Sequence, residues 1–246
     1  MNTSRVNMQI SSTAEQPVYP ELTLMREVLP LQGASLLELG CGSADKLRQL
    51  ADTGELTWVV GAEVDAQAHS KNLATPASGI EFARFGAEAI PHADNTFDIV
   101  MLLKSLHHVP AVSMDQAFAE IYRVLKPGGV AYVSEPVFAG RLNEVIRMFH
   151  DEQHVRELAF QATRRAVDSG QFSLLGQQFF LTPVKLQSFA QFKAGIIDAT
   201  HTDHQVDATL LEQVHRKFES MADQVDQSFY FETPNRLDLL QVNKTT

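Results

Sequence analysis

The sequence predicts an α/β fold built on an open, doubly wound, mostly parallel sheet. Three observations carry this. Short apolar runs such as Leu36–Leu39, Trp58–Val60 and Ile99–Leu103 alternate with stretches of helical spacing. The first run enters a glycine turn, Gly40-Cys41-Gly42, and a helical pattern (Leu47, Leu50, Ala51) leaves it. The second run ends in acid, Glu63-Val64-Asp65. Ligands of open α/β sheets sit at such carboxyl ends of strands. Glycine lets the backbone approach a ligand, and the helix start offers free N–H groups.

The elements follow in order. Residues Met1 to about Gln16 are polar and mixed, and read as a loose arm. Leu22, Met25 and Leu29 have helical spacing that ends near Pro30. Leu36–Leu39 is the first strand, and Asp45–Ala51 begins the next helix. Trp58 to Asp65 reads as the second strand and Gln67–Leu73 as a helix. Ile80–Phe85 alternates as a strand. Asn95–Leu103 is the fourth strand. Phe118, Ile121, Tyr122 and Leu125 mark an amphipathic helix, which Lys126-Pro127-Gly128-Gly129 ends before the strand Val130–Pro136. Arg141–Asp168 looks helical, with breaks, and Phe172–Leu181 is apolar and ambiguous. Thr182-Pro183 is expected to cap a helix over Val184–Ala194. Ala208–Ala222 is a clear amphipathic helix. Ser228–Glu232, Thr233-Pro234-Asn235 and Arg236–Val242 read as strand, turn and strand.

Composition bounds the function. A chain of 246 residues with 44% hydrophobic and 20% charged residues can bury a large core, as one elaborated domain or a domain plus a lid. Its net charge of -10 argues against nucleic acid and anionic membrane surfaces as partners. No apolar run approaches the roughly 20 residues that span a bilayer, and no signal peptide is visible. Cys41 is the only cysteine, which excludes an intrachain disulfide and a cysteine metal site. Cytoplasmic residence is the default expectation.

The glycine loop discriminates between ligands. Dinucleotide sites want G-x-G-x-x-G with the pyrophosphate on the helix N-terminus. Here the sixth position is Asp45, and Glu38 precedes the turn. Two carboxylates repel a pyrophosphate and suit a cation. S-adenosylmethionine carries a sulfonium and an ammonium and no phosphate. Glu63 follows Gly40 by 23 positions, where an acidic side chain can accept from both ribose hydroxyls; Asp65 is the second choice for this role.

Glu38, Gly40 and Gly42 resemble the first motif of class I S-adenosylmethionine-dependent methyltransferases, with Ala44 in place of the third glycine. Glu63 stands at the family's second motif. Gly86-Ala87-Glu88 resembles its Gly-Asp-Ala-Glu segment, but Gly86 occupies the Asp place and loses the side-chain contact to adenine. "FDIVMLLKSLHHV" and "YRVLKPGGVAYVSE" are similar to the later motifs, so the resemblance covers Leu36 to about Pro136. It implies a seven-stranded Rossmann-like sheet, S-adenosyl-L-methionine as cofactor, and cofactor contacts from Glu38, Gly40, Cys41, Gly42, Glu63, Val64, Gly86, Ala87, Glu88, Leu103 and Lys104. The family pattern stops beyond Val137, and the chain is expected to divide into three regions: an arm and cofactor core over 1–136, a mainly helical lid and acceptor region over 137–227, and a closing hairpin of the sheet over 228–246.

A base is needed if the acceptor is a hydroxyl or ammonium, and histidine titrates in the right range. His107 and His108 follow the fourth strand and are the candidates, one of them as an orienting or core histidine. Glu135 is a candidate for orienting the acceptor. His150/His154 and His201/His204 have approximate ligand spacing but suggest no third ligand, so no metal is expected. Eleven of the fifteen phenylalanines lie after Glu135. They suggest a small-molecule acceptor with a substantial apolar part, met by Phe172, Phe179 and Phe180, or else simple packing of the lid. The rivals are a nicotinamide-dependent oxidoreductase, a protein or RNA methyltransferase, and a non-catalytic module that binds the cofactor or a protein partner.

Overall fold

The structure is a computed structural model that describes residues 8–199 and 204–245. Its elements in order are α1 (Glu21–Val28), β1 (Ser35–Leu39), α2 (Asp45–Ala51), β2 (Trp58–Ala62), α3 (Ala66–Ala74), β3 (Ile80–Ala83), β4 (Phe97–Leu103), α4 (Met114–Val124), β5 (Leu125–Pro136), α5 (Arg141–Ile146), α6 (Gln153–Asp168), β6 (Phe172–Leu186), α7 (Phe189–Phe192), α8 (Ala208–Met221), β7 (Asp223–Val225) and β8 (Ser228–Val242). A single π turn, Lys193–Ile197, continues α7.

The sheet runs β3-β2-β1-β4-β5-β8-β6, with β7 on β8. β1 to β5 are parallel, β8 is antiparallel to β5, and β6 is antiparallel to β8. The strand order reverses between β1 and β4, so the crevice for a ligand opens at their carboxyl ends. The parallel strands are apolar on both faces, as a sheet covered on both sides requires. Leu37, Val60, Val100 and Ala131 pack into one core with α4 and α6. Their neighbours Leu36, Val59, Ile99 and Val130 pack into a second core with α1 and α2.

The carboxyl-terminal part departs from the sequence reading. The segment 228–242 is one strand, with Thr233-Pro234-Asn235 inside it rather than at a turn. Its long partner is β6, so the antiparallel pair that closes the sheet is 172–186 with 228–242. Thr182-Pro183 does not start a helix. Both residues lie in β6, which is the edge strand, where a proline without an N–H is tolerated. The actual hairpin turn is Asp226-Gln227 between β7 and β8. Both residues have positive φ, as a two-residue turn of this kind needs. The three-residue β7 makes the sheet eight-stranded, one more than expected.

β5 ends opposite Asn235, and the β6–β8 ladder continues from Leu181↔Pro234 to Leu186↔Phe229. That two-stranded ribbon passes the carboxyl ends of the parallel strands. Leu142, Val145, Phe192, Val214, Phe218 and Phe231 form a third core on it with α5, α7 and α8. α6 belongs instead with α4 in the first core. The segment 137–227 is thus shared between the sheet, its flanking helix and this ribbon-borne cluster. Among the described residues no helix is long and apolar enough to cross a membrane.

Phe172 and Phe180, expected beside the acceptor, are core residues instead. Phe172 is 1% exposed and meets Phe118 and Tyr122 edge-on; Phe180 is fully buried in the second core. Eight positions apart, these two rings would share a face of a regular strand; the register shift between Leu174 and Gly176 breaks the alternation and sends them to cores on opposite faces of the sheet. Phe179 is half-buried beside them. Phe172→Ala and Phe180→Ala should each cost about 3–5 kcal/mol of stability and leave ligand affinity unchanged. Urea denaturation checks this; a variant of undiminished stability would put its ring back among the candidate acceptor contacts.

Candidate functional site

The cleft at the β1/β4 switch point has a volume of about 950 Å³. Every residue expected to contact the cofactor lines it: Glu38, Gly40, Cys41, Gly42, Glu63, Val64, Gly86, Ala87, Glu88, Leu103 and Lys104. Among the described residues the lining comes entirely from those between Glu21 and Pro110. The helices after β5 contribute no wall.

The loop after β1 is built by close approach and by buried acids. Gly40 has φ +70°, and a Cβ there would lie 2.7 Å from Ser105 Cβ, so only glycine lets the loops after β1 and β4 meet. Ser105 Oγ donates to the Leu39 carbonyl at 2.7 Å and closes that contact. Gly42 donates its N–H to Glu63 Oε2 at 2.7 Å, and its carbonyl accepts from Asn72 Nδ2 at 2.7 Å. Glu63 Oε1 accepts the Asp65 N–H at 2.8 Å. A Cβ on Gly42 would meet nothing within 4 Å, which leaves a backbone-floored cradle inside the cleft. Ala44, in place of the third glycine, adopts the left-handed conformation at φ 58°. Asp65, the second choice for the ribose, caps α3 through the N–H groups of Gln67 and Ala68.

Glu38 is 3% exposed, and its Oε2 has no hydrogen-bond partner among the described residues. Burial, with the nearby Glu21 and Glu63 carboxylates, pushes its carboxyl up to about 8. Burial and the same kind of acidic surroundings, Glu38 and Glu63, raise the Cys41 thiol, which stays protonated. Asp45, Asp65 and Glu88 also line the cleft, against Lys46 and Lys104 as the only amines among the described residues that line it. Lys104 is not a free cation facing the cofactor carboxylate: its Nζ pairs with Glu21, whose other oxygen accepts from Ser134 Oγ. An orphaned carboxylate oxygen in a wall with this excess of acid fits a ligand that brings an ammonium and a sulfonium. It does not fit a pyrophosphate.

At Gly86 the chain departs from the family pattern. Glu88 folds back so that a Cβ on Gly86 would lie 2.4 Å from its Oε2. Glu88 is exposed and its carboxylate is the far end of a flexible side chain that can swing aside, and Ala87 stays in the wall.

The two histidines after β4 separate. His108 is exposed and lines the cleft, whereas His107 is 5% exposed and lies behind it. Their rings are 4.1 Å apart. His107 Nδ1 donates to Glu135 Oε2 at 2.6 Å, and Nε2 lies 3.6 Å from Glu152 Oε1. Burial alone would lower the His107 pKa, but the two carboxylates outweigh it and the net direction is up. Glu135 does not orient an acceptor. It is 2% exposed, and its Oε1 accepts the Leu106 N–H at 3.0 Å, so it braces the turn that carries both histidines. His107, His108 and Glu152 bring potential ligand atoms within 4.8 Å of one another, but Glu135 already holds His107, and Arg156 and His150 already hold Glu152. His150 and His204 stack edge-on at 4.6 Å; His154 is exposed on α6, and His201 lies outside the described residues.

The sequence reading missed Glu21, Asn72 and Ser105. Glu21 read as a first-turn acid of a surface helix. Asn72 carried one usable signal, an amide within a helical stretch that needs a buried face.

Residues 37–133 match the profile of a family described as a methyltransferase domain. The ubiquinone/menaquinone biosynthesis C-methyltransferase UbiE of Hahella chejuensis is 31% identical over 157 residues, 61% of this chain and 61% of that protein. The UbiE of Haemophilus ducreyi is 33% identical over 117 residues, 44% of each chain. The chain thus spans less than two thirds of these curated relatives. Among solved structures, YcgJ of Bacillus subtilis superposes with a TM-score of 0.60 at 19% identity, covering 91% of this chain and 98% of that one. The [4+2]-cyclase SpnF superposes at 0.55 and 21% identity, covering 88% and 79%. These likenesses show the fold. Over residues 37–133 the chain is thus similar to methyltransferase domains, and this likeness supports S-adenosylmethionine as the cofactor.

The raised Glu38 carboxyl has a sign that can be checked. Between the ordinary value of 4.5 and about 8, the folded chain keeps a proton at Glu38 that the unfolded chain has lost. Stability therefore falls as pH rises through that window. Glu38→Gln should remove this part of the fall, so the variant's melting temperature should gain on the parent's from about pH 5 to about pH 9. A constant difference between the two across that range would contradict a buried, protonated Glu38.

Proposed function

We propose that the chain transfers a methyl group from S-adenosylmethionine to a small-molecule acceptor with a substantial apolar part. The observation that carries the reading is Glu38, a buried carboxyl group with an oxygen unpartnered among the described residues, in the wall of an acidic cleft. When bound, the cofactor supplies a methyl on a positively charged sulfur. Glu38 would accept from its ammonium. Glu63 keeps a second lone pair on each oxygen for the ribose hydroxyls. The Gly40–Gly42 floor lets the backbone reach the methionine end, and Glu88 with the Ala87 backbone would read the adenine edge.

His108 is the residue proposed to take the acceptor's proton, because it lines the cleft and His107 does not. His107, locked between Glu135 and Glu152, positions it. Val109 and Pro110, which follow His108 in the chain, and Phe85 are apolar residues of the same cleft wall, which supports an acceptor with an apolar part. The helices on the β6–β8 ribbon stand on the carboxyl side of the parallel strands, and we assign to them the covering of the acceptor. The named role of the UbiE relatives, C-methylation in quinone biosynthesis, is one chemistry this wall would suit.

Glu63→Ala should weaken cofactor binding by about 1.5–3 kcal/mol for each charge-assisted hydrogen bond lost. His108→Gln should keep cofactor affinity and lower turnover about 10²–10⁴-fold. The direct assay uses S-adenosylmethionine with a tritiated methyl group and a fractionated small-molecule extract. Label moving into a solvent-extractable compound is the expected result. Label found only on protein or RNA would reject the small-molecule acceptor. Cofactor binding without any transfer would favour the non-catalytic reading.

A further inference from the structure

Three side chains converge at the edge of the cofactor cleft. His107, His108 and Glu152 bring potential ligand atoms within 4.8 Å of one another. His107 and Glu152 are buried, and His108 lines the cleft. The trio joins the turn after β4 to the residue just before α6, so no short spacing in the chain announces it. The contacts these groups already make leave lone pairs directed at one another. Glu135 accepts from Nδ1 of His107 at 2.6 Å, and it is Nε2 that faces Glu152. Arg156 occupies Oε2 of Glu152 at 2.5 Å. His150 Nε2 meets Oε1 at 2.9 Å, and a carboxylate oxygen has a second lone pair.

With its Nδ1 proton directed at Glu135, a neutral His107 carries its lone pair on Nε2, 3.6 Å from Glu152 Oε1. That is too long for a hydrogen bond. Two ligand atoms on one tetrahedral ion, each about 2.1 Å from it, lie about 3.4 Å apart. His108 is exposed, and a turn of its side chain closes the remaining distance. The surroundings agree. A metal-bound histidine commonly gives its other N–H to a carboxylate, as His107 does to Glu135. Glu135 and Glu152 stand against Arg156, and Arg236, which also acts on Glu135, is balanced by Asp238. With neutral histidines the cluster keeps one negative charge, which favours a cation. We propose that His107, His108 and Glu152 form a site for a divalent transition-metal ion of the zinc type, which two imidazoles and a carboxylate suit better than magnesium or calcium. A neutral imidazole has one lone pair, so an ion on His108 takes away its capacity to act as a base. Metal binding and proton transfer to His108 exclude one another, and the ion is an inhibitor of the proposed methyl transfer.

The test takes the full chain, freed of bound metal by a chelator, and titrates it near neutral pH with Co²⁺, a spectroscopic stand-in for Zn²⁺. Co²⁺ should bind at one site and absorb visible light more strongly than aqueous cobalt, because protein ligands replace its six waters. Zn²⁺ should displace it and Mg²⁺ should not. His108→Ala, at an exposed position that does not endanger folding, should weaken Co²⁺ at least tenfold, whereas His154→Ala, exposed on α6, should leave it unchanged. A crystal grown with Zn²⁺ should show the anomalous peak of zinc between His107 Nε2 and Glu152 Oε1. Absorption no stronger than that of aqueous cobalt, displacement by Mg²⁺ as readily as by Zn²⁺, Co²⁺ affinity untouched by His108→Ala, or zinc found only at other histidines would each overturn the proposal. None of these readouts involves methyl transfer, so the site and the proposed reaction stand or fall separately.

Discussion

The architecture of the cleft depends on buried carboxylates at the strand ends that hold the loops of neighbouring strands. Glu63, just past β2, grips the loop after β1 through the Gly42 N–H and its own loop through the Asp65 N–H. Glu135, inside β5, grips the turn after β4 through the Leu106 N–H and His107. Glu21 reaches from α1 to Lys104 and Ser134. A carboxylate out of water must find donors or lose its charge. Each of these three finds them on a neighbouring element, so the same desolvation that makes the acids costly fixes the loops in place.

Glu38 is the exception, and the function follows from it. It sits at the carboxyl end of β1 among the other acids, yet one oxygen has no donor. Burial and the neighbouring acids push this carboxyl up to about 8, so an arriving cation would favour its ionised form. The bracing acids around it then do double service, because they also set a field that favours a cationic ligand over a phosphate. His107 shows the same economy behind the cleft, where it is the shared partner of two carboxylates and the neighbour of His108.

Much of this was legible in the sequence. The parallel strands show as apolar runs because both of their faces are buried, and the Gly40–Glu63 spacing marks where two strand ends meet. What failed to show depends on partners distant in the chain. Pro234 and Pro183 read as breakers because nothing local reveals that they lie in a long ribbon with an open edge. Phe172 and Phe180 read as pocket aromatics because adjacency to a core is not written in composition. Glu135 read as a cleft residue until its position beneath the histidine turn was known, and Glu21 gave no sign of reaching across to β4 and β5.

The account rests on the cleft being a site for a cationic nucleoside cofactor without phosphate. Parallel calorimetric titrations with S-adenosylhomocysteine, which keeps the ammonium, and with NAD test it most directly, run near neutral pH in buffers of different ionisation enthalpy. The account predicts binding of S-adenosylhomocysteine with release of the Glu38 proton to the buffer, and no binding of NAD. NAD binding as tight as that of S-adenosylhomocysteine, or S-adenosylhomocysteine binding with no proton released, would contradict it.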